Sequence, residues 1–376
     1  MLKLMRIYLD HAATSPLLPE ARAAMEPWLD AGNASTLYAE GRAARQAIDE
    51  ARESVAERLG CEFASFLFTS GGTESAVMAI AGCALANKGG DRRRVLVSAA
   101  EHHCTLNTRP LLEALGVEVE VLPVDRYARP QIELLSHRMS DDVLLLCSMH
   151  ANNELGTLSE PRALADLAHR HGALFFCDAV QTLGKVPWTV EDLGADLVSV
   201  SAHKIGGPKG IGGIYVRPGT RLKPLIAGGG QERELRAGTE NVAAIAGFGA
   251  AVRTRRDSAH LTGLRDSLSR SLIALGARPT LAPDIPCLST HCHVRFPGTS
   301  AETLLIVLDR LGVAAGSGAA CSSGSVEPSH VLLACGYSLA EAKEGIRFTL
   351  GPATTAAELE EASQRVARAV AQVRGR

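Results

Sequence analysis

The sequence has little net charge: 39 Lys and Arg against 41 Asp and Glu leave −2 over 376 residues. That balance gives no reason to expect nucleic acid or an anionic membrane surface as a direct partner. It has no disulfide framework. Nine cysteines, an odd number without regular spacing, point to a reducing compartment, so the expected location is the cytoplasm. It shows no leader, since residues 1–9 are too short and too interrupted for a signal peptide or a membrane span. There is no internal repeat and no low-complexity linker. His291-Cys292-His293 puts two histidines on one strand face but has no second ligand pair, so no metal site is expected and both read as structural. Arg92-Arg93-Arg94 reads as the solvated start of a strand.

What is present suits a soluble enzyme. A hydrophobic content of 46% is ample for a large core, and the length suggests two or three domains. Strand-like runs near 64–69, 94–99, 117–122, 143–148, 173–177, 196–201 and 212–217 alternate with helix-like ones. Such alternation predicts an α/β fold with a mostly parallel seven-stranded sheet. Residues 40–59 place Ile48, Val55 and Leu59 near one helical face, with Gly60 as a C-cap. After Gly247 the pattern changes to a long polar helical stretch, a strand over 291–296, and helices opened by Thr299-x-x-Glu302 and Thr355-x-x-Glu358, both with capping-box spacing. This reads as a smaller α+β domain, made of 1–12 and 259–376, beside a large domain over 13–258.

Four features carry chemistry. Ser201-Ala202-His203-Lys204 follows the apolar run 195–200. A lysine there can lose its proton by desolvation and become the amine nucleophile that condensation with an aldehyde cofactor requires. Asp178 ends the strand-like run 173–177. In an open α/β sheet that position faces the ligand crevice, where a carboxylate can keep a cofactor pyridine nitrogen protonated. Ser70-Gly71-Gly72-Thr73 lies between a strand and a helix, the arrangement that offers backbone N–H groups and a positive dipole end to a phosphate. His102 follows another strand, placed to stack on a flat ring or to carry a proton. Each has an ordinary alternative: a tight turn, a helix cap, a satisfied polar side chain, a solvated lysine. Their order and their shared places at strand ends favour one cofactor site.

The chain resembles the cysteine desulfurases of the fold-type I, class V aminotransferase superfamily. The matching stretches include Tyr8-Leu9-Asp10-His11-Ala12-Ala13-Thr14, Thr69-Ser70-Gly71-Gly72-Thr73-Glu74-Ser75, Met149-His150-Ala151-Asn152-Asn153-Glu154-Leu155-Gly156, Asp178-Ala179-Val180-Gln181 and Ser201-Ala202-His203-Lys204. Arg236-Ala237-Gly238-Thr239, Ser317-Gly318-Ala319-Ala320-Cys321-Ser322-Ser323 and Ile346-Arg347-Phe348 complete the series in family order. The resemblance implies that pyridoxal 5'-phosphate is held by Lys204, with Asp178 on the pyridine nitrogen, Gln181 on the ring hydroxyl and His102 on the ring face. It implies that Gly72, Thr73, Ser201 and His203 bind the phosphate, together with Thr239 of a second copy in a homodimer. It also implies that Asn153 and Arg347 hold the carboxylate of L-cysteine.

Cys321 lies in a small, polar glycine-serine stretch, whereas Cys83, Cys147 and Cys177 sit in apolar runs and read as structural. A loop thiol without a task has the same sequence. The resemblance implies instead that Cys321 takes sulfur from cysteine as a persulfide, leaves L-alanine, and passes the sulfur to an acceptor protein for iron–sulfur cluster or other thio-cofactor synthesis. A selenocysteine lyase and a class V aminotransferase are the alternatives. The family's usual Gly-Asn-Pro is here Gly32-Asn33-Ala34, so the pocket edge is expected to differ. Longer relatives carry a C-terminal tail that meets an iron–sulfur scaffold. The chain stops at Arg376, so that particular partner is not expected.

Overall fold

The fold was analysed in a computed structural model, which describes residues 6–30, 32–254, 258–318, 321–322 and 325–375. Of residues 321–326 only the backbone pairing is considered. Seven strands form the main sheet: β1 (Phe66–Thr69), β2 (Arg94–Ser98), β3 (Glu118–Leu122), β4 (Val143–Met149), β5 (Leu174–Asp178), β6 (Leu197–Ser201) and β7 (Gly212–Val216). Their order across the sheet is β1-β7-β6-β5-β4-β2-β3, and only β7 runs antiparallel to its neighbours. Every residue of β4 and β6 is buried. Burial on both faces is why these strands read as unbroken apolar runs rather than as alternating ones. All seven expected strands form, with ends shifted by one or two residues.

Helices cover both faces. α1 (Ala39–Leu59) buries Ile48, Val55 and Leu59 against α3 (Val242–Arg253) and ends at a left-handed Gly60. α2 (Gly72–Ala86) is nearly all apolar and buries Ala76, Met78, Ala79 and Ile80 on the other face. The C-terminal part has its own apolar cluster, built from Leu261, Leu268, Val294, Phe296, Leu304, Ile346, Phe348 and Val366. Ile7 and Leu9 join that cluster, and Ile7–Tyr8 pairs in parallel with Val313–Ala314. A small antiparallel sheet there contains β8 (His291–Arg295) and β9 (Gly345–Thr349). A further cluster, with Ala100, Leu155, Val331, Leu332 and Tyr337, joins the loops beyond the main sheet to the C-terminal part.

Three local expectations need correction or refinement. The Thr299–Glu302 capping box is absent: Ser300 caps the helix Ala301–Arg310, and the Thr299 hydroxyl donates instead to Phe296 O (2.7 Å). Thr355–Glu358 does form its box. Arg94 is not solvated, because Glu120 (2.5 Å) and Asp142 (3.1 Å) fix it across the strand starts. His291 and His293 are buried, and their Nδ1 atoms meet Thr290 Oγ1 (2.9 Å) and Thr280 Oγ1 (2.6 Å).

Candidate active site

The carboxyl ends of β4, β5 and β6 open onto one cavity of about 370 Å³. Its lining holds Gly72, Thr73, His102, Asn153, Asp178, Gln181, Ser201, His203, Lys204 and Arg347. These residues span 276 positions of sequence. Arg347 comes from the middle of β9, yet all the others stand at the end of a main-sheet strand or in the segment that follows it. That is where a doubly wound sheet places its ligand. Thr239 is not among them; it lies in a separate hollow with Glu232, Arg236 and Glu240. Segment 32–38, where the family pattern departs, contributes no lining residue among those described.

Lys204 follows β6. Its Nζ donates to the carbonyls of Ala12 (2.6 Å) and Ala13 (2.9 Å). Burial, and then the Arg347 charge, hold its pKa down at about 8. A lysine in that state has a substantial neutral fraction near neutral pH, as a nucleophilic amine needs. Asp178 is fully buried at the end of β5 and accepts from Val180 N (2.9 Å). Burial raises its pKa, against Val180 N–H and the nearby His102 and Lys204. A cation brought to this carboxylate relieves its desolvation. His102 caps the short helix His103–Leu106 by accepting from Cys104 N (3.1 Å) on Nδ1, so its proton resides on Nε2. Although the residue is partly exposed, desolvation lowers its pKa below the ordinary histidine value. Gln181 Nε2 donates to Ala12 O (3.1 Å), and its Oε1 accepts from Lys185 (2.9 Å).

At the other end, α2 begins at Gly72. A Cβ on Gly72 would lie 2.8 Å from Val180 Cγ2, so only glycine lets the helix start this close to the β5 loop. Gly72, Thr73, Ser201 and His203 also line an adjoining hollow with Lys209. His203 is held neutral near 4, by burial and by Lys204, Lys209 and Lys185, and its Nδ1 meets Thr14 Oγ1 (3.2 Å). A helix N-terminus, two hydroxyls, a neutral imidazole and a lysine make an anion cradle. With the buried carboxylate and the lysine, this donor set could hold pyridoxal phosphate, with α2 available to its phosphate, Asp178 to its pyridine nitrogen and Lys204 to its aldehyde carbon.

Arg347, on β9, closes the opposite wall. Its Nη1 donates to Asn153 O (2.7 Å) and its Nη2 to Asp10 (2.8 Å). Arg347 Nε and Asn153 Oδ1 are buried without a hydrogen-bond partner among the described residues. Both residues line the cavity, where a guanidinium suits a carboxylate. The family model for class-V aminotransferases matches residues 7–361.

The chain belongs to the class-V aminotransferase family. Among its relatives, the cysteine desulfurase IscS of Dictyoglomus turgidum is 43% identical over 363 residues, covering 94% of this chain and 91% of that protein. A solved NifS-like protein superposes with a TM-score of 0.90 at 31% identity, over 97% of this chain and 99% of the other. The structure of SspA in complex with cysteine gives a TM-score of 0.82 at 33% identity, over 93% and 100%.

Several features of the site carried no signal in sequence reading. Lys209 joins the hollow at the start of α2, Cys104 lines the cavity, and the Ala12 and Ala13 carbonyls receive the lysine. Asp10 pairs with Arg347 across 337 positions. Only the Asp10 motif was visible beforehand, and nothing in its spacing named its partner. Gly318 reaches the cavity wall. From there the chain leads to Cys321–Ser322, whose backbone pairs antiparallel with Ser325–Val326; the Cys321 side chain lies outside the described part of the structure. Cys83, Cys147 and Cys177 are buried; burial pushes the Cys83 thiol up to about 12 and the Cys147 and Cys177 thiols well above the ordinary cysteine value.

Proposed function

We propose that this chain is a pyridoxal phosphate–dependent cysteine desulfurase that converts L-cysteine to L-alanine and leaves the sulfur as a persulfide on Cys321. The single observation that carries the reading is one cavity that joins Lys204, Asp178 and Arg347 and is walled by Gly318, three residues before Cys321. Bound to Lys204, the cofactor supplies an electron sink for the charge left when the substrate loses its α-proton. The rest is the work of the chain. Asp178 would hold a proton on the ring nitrogen, and His102 would cover the ring face. Asn153 and Arg347 fix the substrate carboxylate, which fixes the direction of its Cβ–S bond. Once the substrate amine has displaced it, Lys204 Nζ, with its lowered pKa, would take the α-proton and return a proton later.

The thiolate of Cys321 then attacks the substrate sulfur. One S–S bond forms and one C–S bond breaks. The electron pair of the broken bond stays with the carbon skeleton, which takes up protons to become alanine. Sulfur is only relocated, so no outside oxidant is required.

The same reading includes a homodimer in which Thr239 of one copy completes the other's phosphate cradle, and an acceptor protein that takes the persulfide sulfur for iron–sulfur or other thio-cofactor synthesis. It assigns 13–258 to a large cofactor domain, and 1–12 with 259–376 to a small one; the separate C-terminal apolar cluster supports this division. Among the described residues no helix is long and apolar enough to cross a membrane, which agrees with a cytoplasmic site of action. The test is mass spectrometry of the cofactor-loaded protein after incubation with cysteine. The peptide bearing Cys321 gains one sulfur atom if the reading is right. An unchanged Cys321 peptide, with alanine forming nonetheless, contradicts it.

A further inference from the structure

Glu154 is fully buried and sits between the two stems of the Cys321 hairpin. We propose that it is a positioning residue for sulfur transfer: its carboxyl ties both stems, at Gly318 and at Ser329, to the turn that carries Asn153 and contacts Arg347. This rests on the desulfurase reading and adds to it a residue outside the cavity lining.

The leading stem packs directly on the carboxyl. Gly318 has a left-handed backbone (φ 82°), and a Cβ there would lie 2.6–2.7 Å from Glu154 Cγ, Cδ and Oε2. Just before it, Gly316 exchanges two backbone hydrogen bonds with Arg347 (3.0 and 2.6 Å). The trailing stem is hydrogen-bonded. Ser329 Oγ donates to Glu154 Oε2 (2.5 Å) and accepts from Leu332 N (3.0 Å), so the same hydroxyl starts the helix His330–Ala334. His330 Nε2 then lies 2.9 Å from Glu101 O, beside His102.

Glu154 itself is held by a tight turn. Asn152 Oδ1 accepts from the backbone N–H groups of Glu154 and Leu155, both at 2.9 Å. Between them, Asn153 O receives Arg347. One turn therefore contacts the substrate-carboxylate wall and both ends of the cysteine hairpin. Burial raises the acid to about 7, against the Ser329 hydrogen bond and the Arg347 charge. Its Oε1 has no partner among the described residues. A neutral carboxyl can lie against the Gly318 backbone without an uncompensated charge, whereas a carboxylate there is costly. A glutamine matches the neutral acid in size and in hydrogen bonding.

The test separates two steps in the cofactor-loaded protein. Exchange of the alanine α-proton for deuterium reports Lys204 and the cofactor. The rate of persulfide formation on Cys321 reports the hairpin. Ser329→Ala and Glu154→Ala are expected to slow persulfide formation about tenfold, the worth of one or two buried hydrogen bonds, with α-proton exchange unchanged. Glu154→Gln restores wild-type persulfide formation. The proposal is overturned if exchange and persulfide formation fall together in Ser329→Ala, which is a general packing effect, or if neither alanine variant slows persulfide formation. A wild-type protein that exchanges the α-proton yet never forms a persulfide on Cys321 overturns the desulfurase reading itself, and this inference with it.

Discussion

The two walls of the cavity are built by different means. The wall with Lys204, Asp178, Ser201 and His102 hangs on the ends of buried strands. Its geometry follows from the sheet: Asp178 and His102 find hydrogen-bond partners two residues away, and only Lys204 reaches across the chain, to the carbonyls of Ala12 and Ala13. The wall with Arg347, Asn153 and Gly318 comes from the C-terminal part and one loop, and contacts between distant segments hold it: Asp10 with Arg347, Gly316 with Arg347, Glu154 with Ser329. On the proposed function, cofactor chemistry would rest on the sheet, and the handling of substrate and sulfur on cross-links between parts. Damage to the first should remove all chemistry, while damage to the second should change which step is slow.

That contrast can be broken most severely at Lys204. Lys204→Ala should lower alanine formation from cysteine by roughly a thousandfold or more, measured as alanine released with a reductant present. On the other wall, Cys321→Ser should stop sulfide release about as completely, yet keep the bound-cofactor absorbance and the exchange of the alanine α-proton. If that exchange is lost as well, the two walls are not separable. An unchanged rate of sulfide release would favour a desulfuration that needs no loop thiol.

Arg347→Lys should give a smaller, directional effect. Lysine keeps the charge but loses the planar fork and the bond to Asp10. The expected loss is roughly 10- to 100-fold in kcat/KM for cysteine, carried mainly by KM. A fall in kcat alone would place Arg347 in the chemistry of the first wall.

Lys204 also makes a pH prediction for the cofactor-free chain. Its folded pKa is about 8, below the ordinary lysine value of 10.5. Between those values the unfolded chain binds more protons, so this group makes stability rise with pH from about 8 to 10.5. Below pH 8 the buried charge is a full penalty. Lys204→Met should therefore raise the melting temperature of the cofactor-free protein at pH 7 and lose the advantage above pH 10. The smallest effect is expected at Thr355→Ala, which removes the capping box of the last helix. It should lower stability by about 1 kcal/mol in thermal melts and leave turnover unchanged.

Legibility in the sequence follows the same division. Strand-end positions are short-range facts: an apolar run followed by Asp178 or by Ser201-Ala202-His203-Lys204 announces both the element and its polar end. The first wall could be read almost completely for that reason, and so could the seven strands. The second wall depends on pairings over hundreds of residues. Asp10 and Arg347 stand 337 positions apart, and Glu154 and Ser329 stand 175 apart; no local pattern encodes either. Resemblance supplied Arg347 and Asn153 but not the groups that hold them. The misread helix start at Thr299 has a local cause. Ser300 competes for the same capping role one residue later, and spacing cannot say which hydroxyl faces the free N–H.

The convergence of both walls on one substrate is tested most directly by a single turnover without reductant. Cysteine is added in excess to the cofactor-loaded protein, and alanine is counted against chains. One alanine per chain, matched by one sulfur on Cys321 and abolished in Cys321→Ser, is the predicted result. Continued alanine formation past one equivalent, or a full first equivalent in Cys321→Ser, would contradict it.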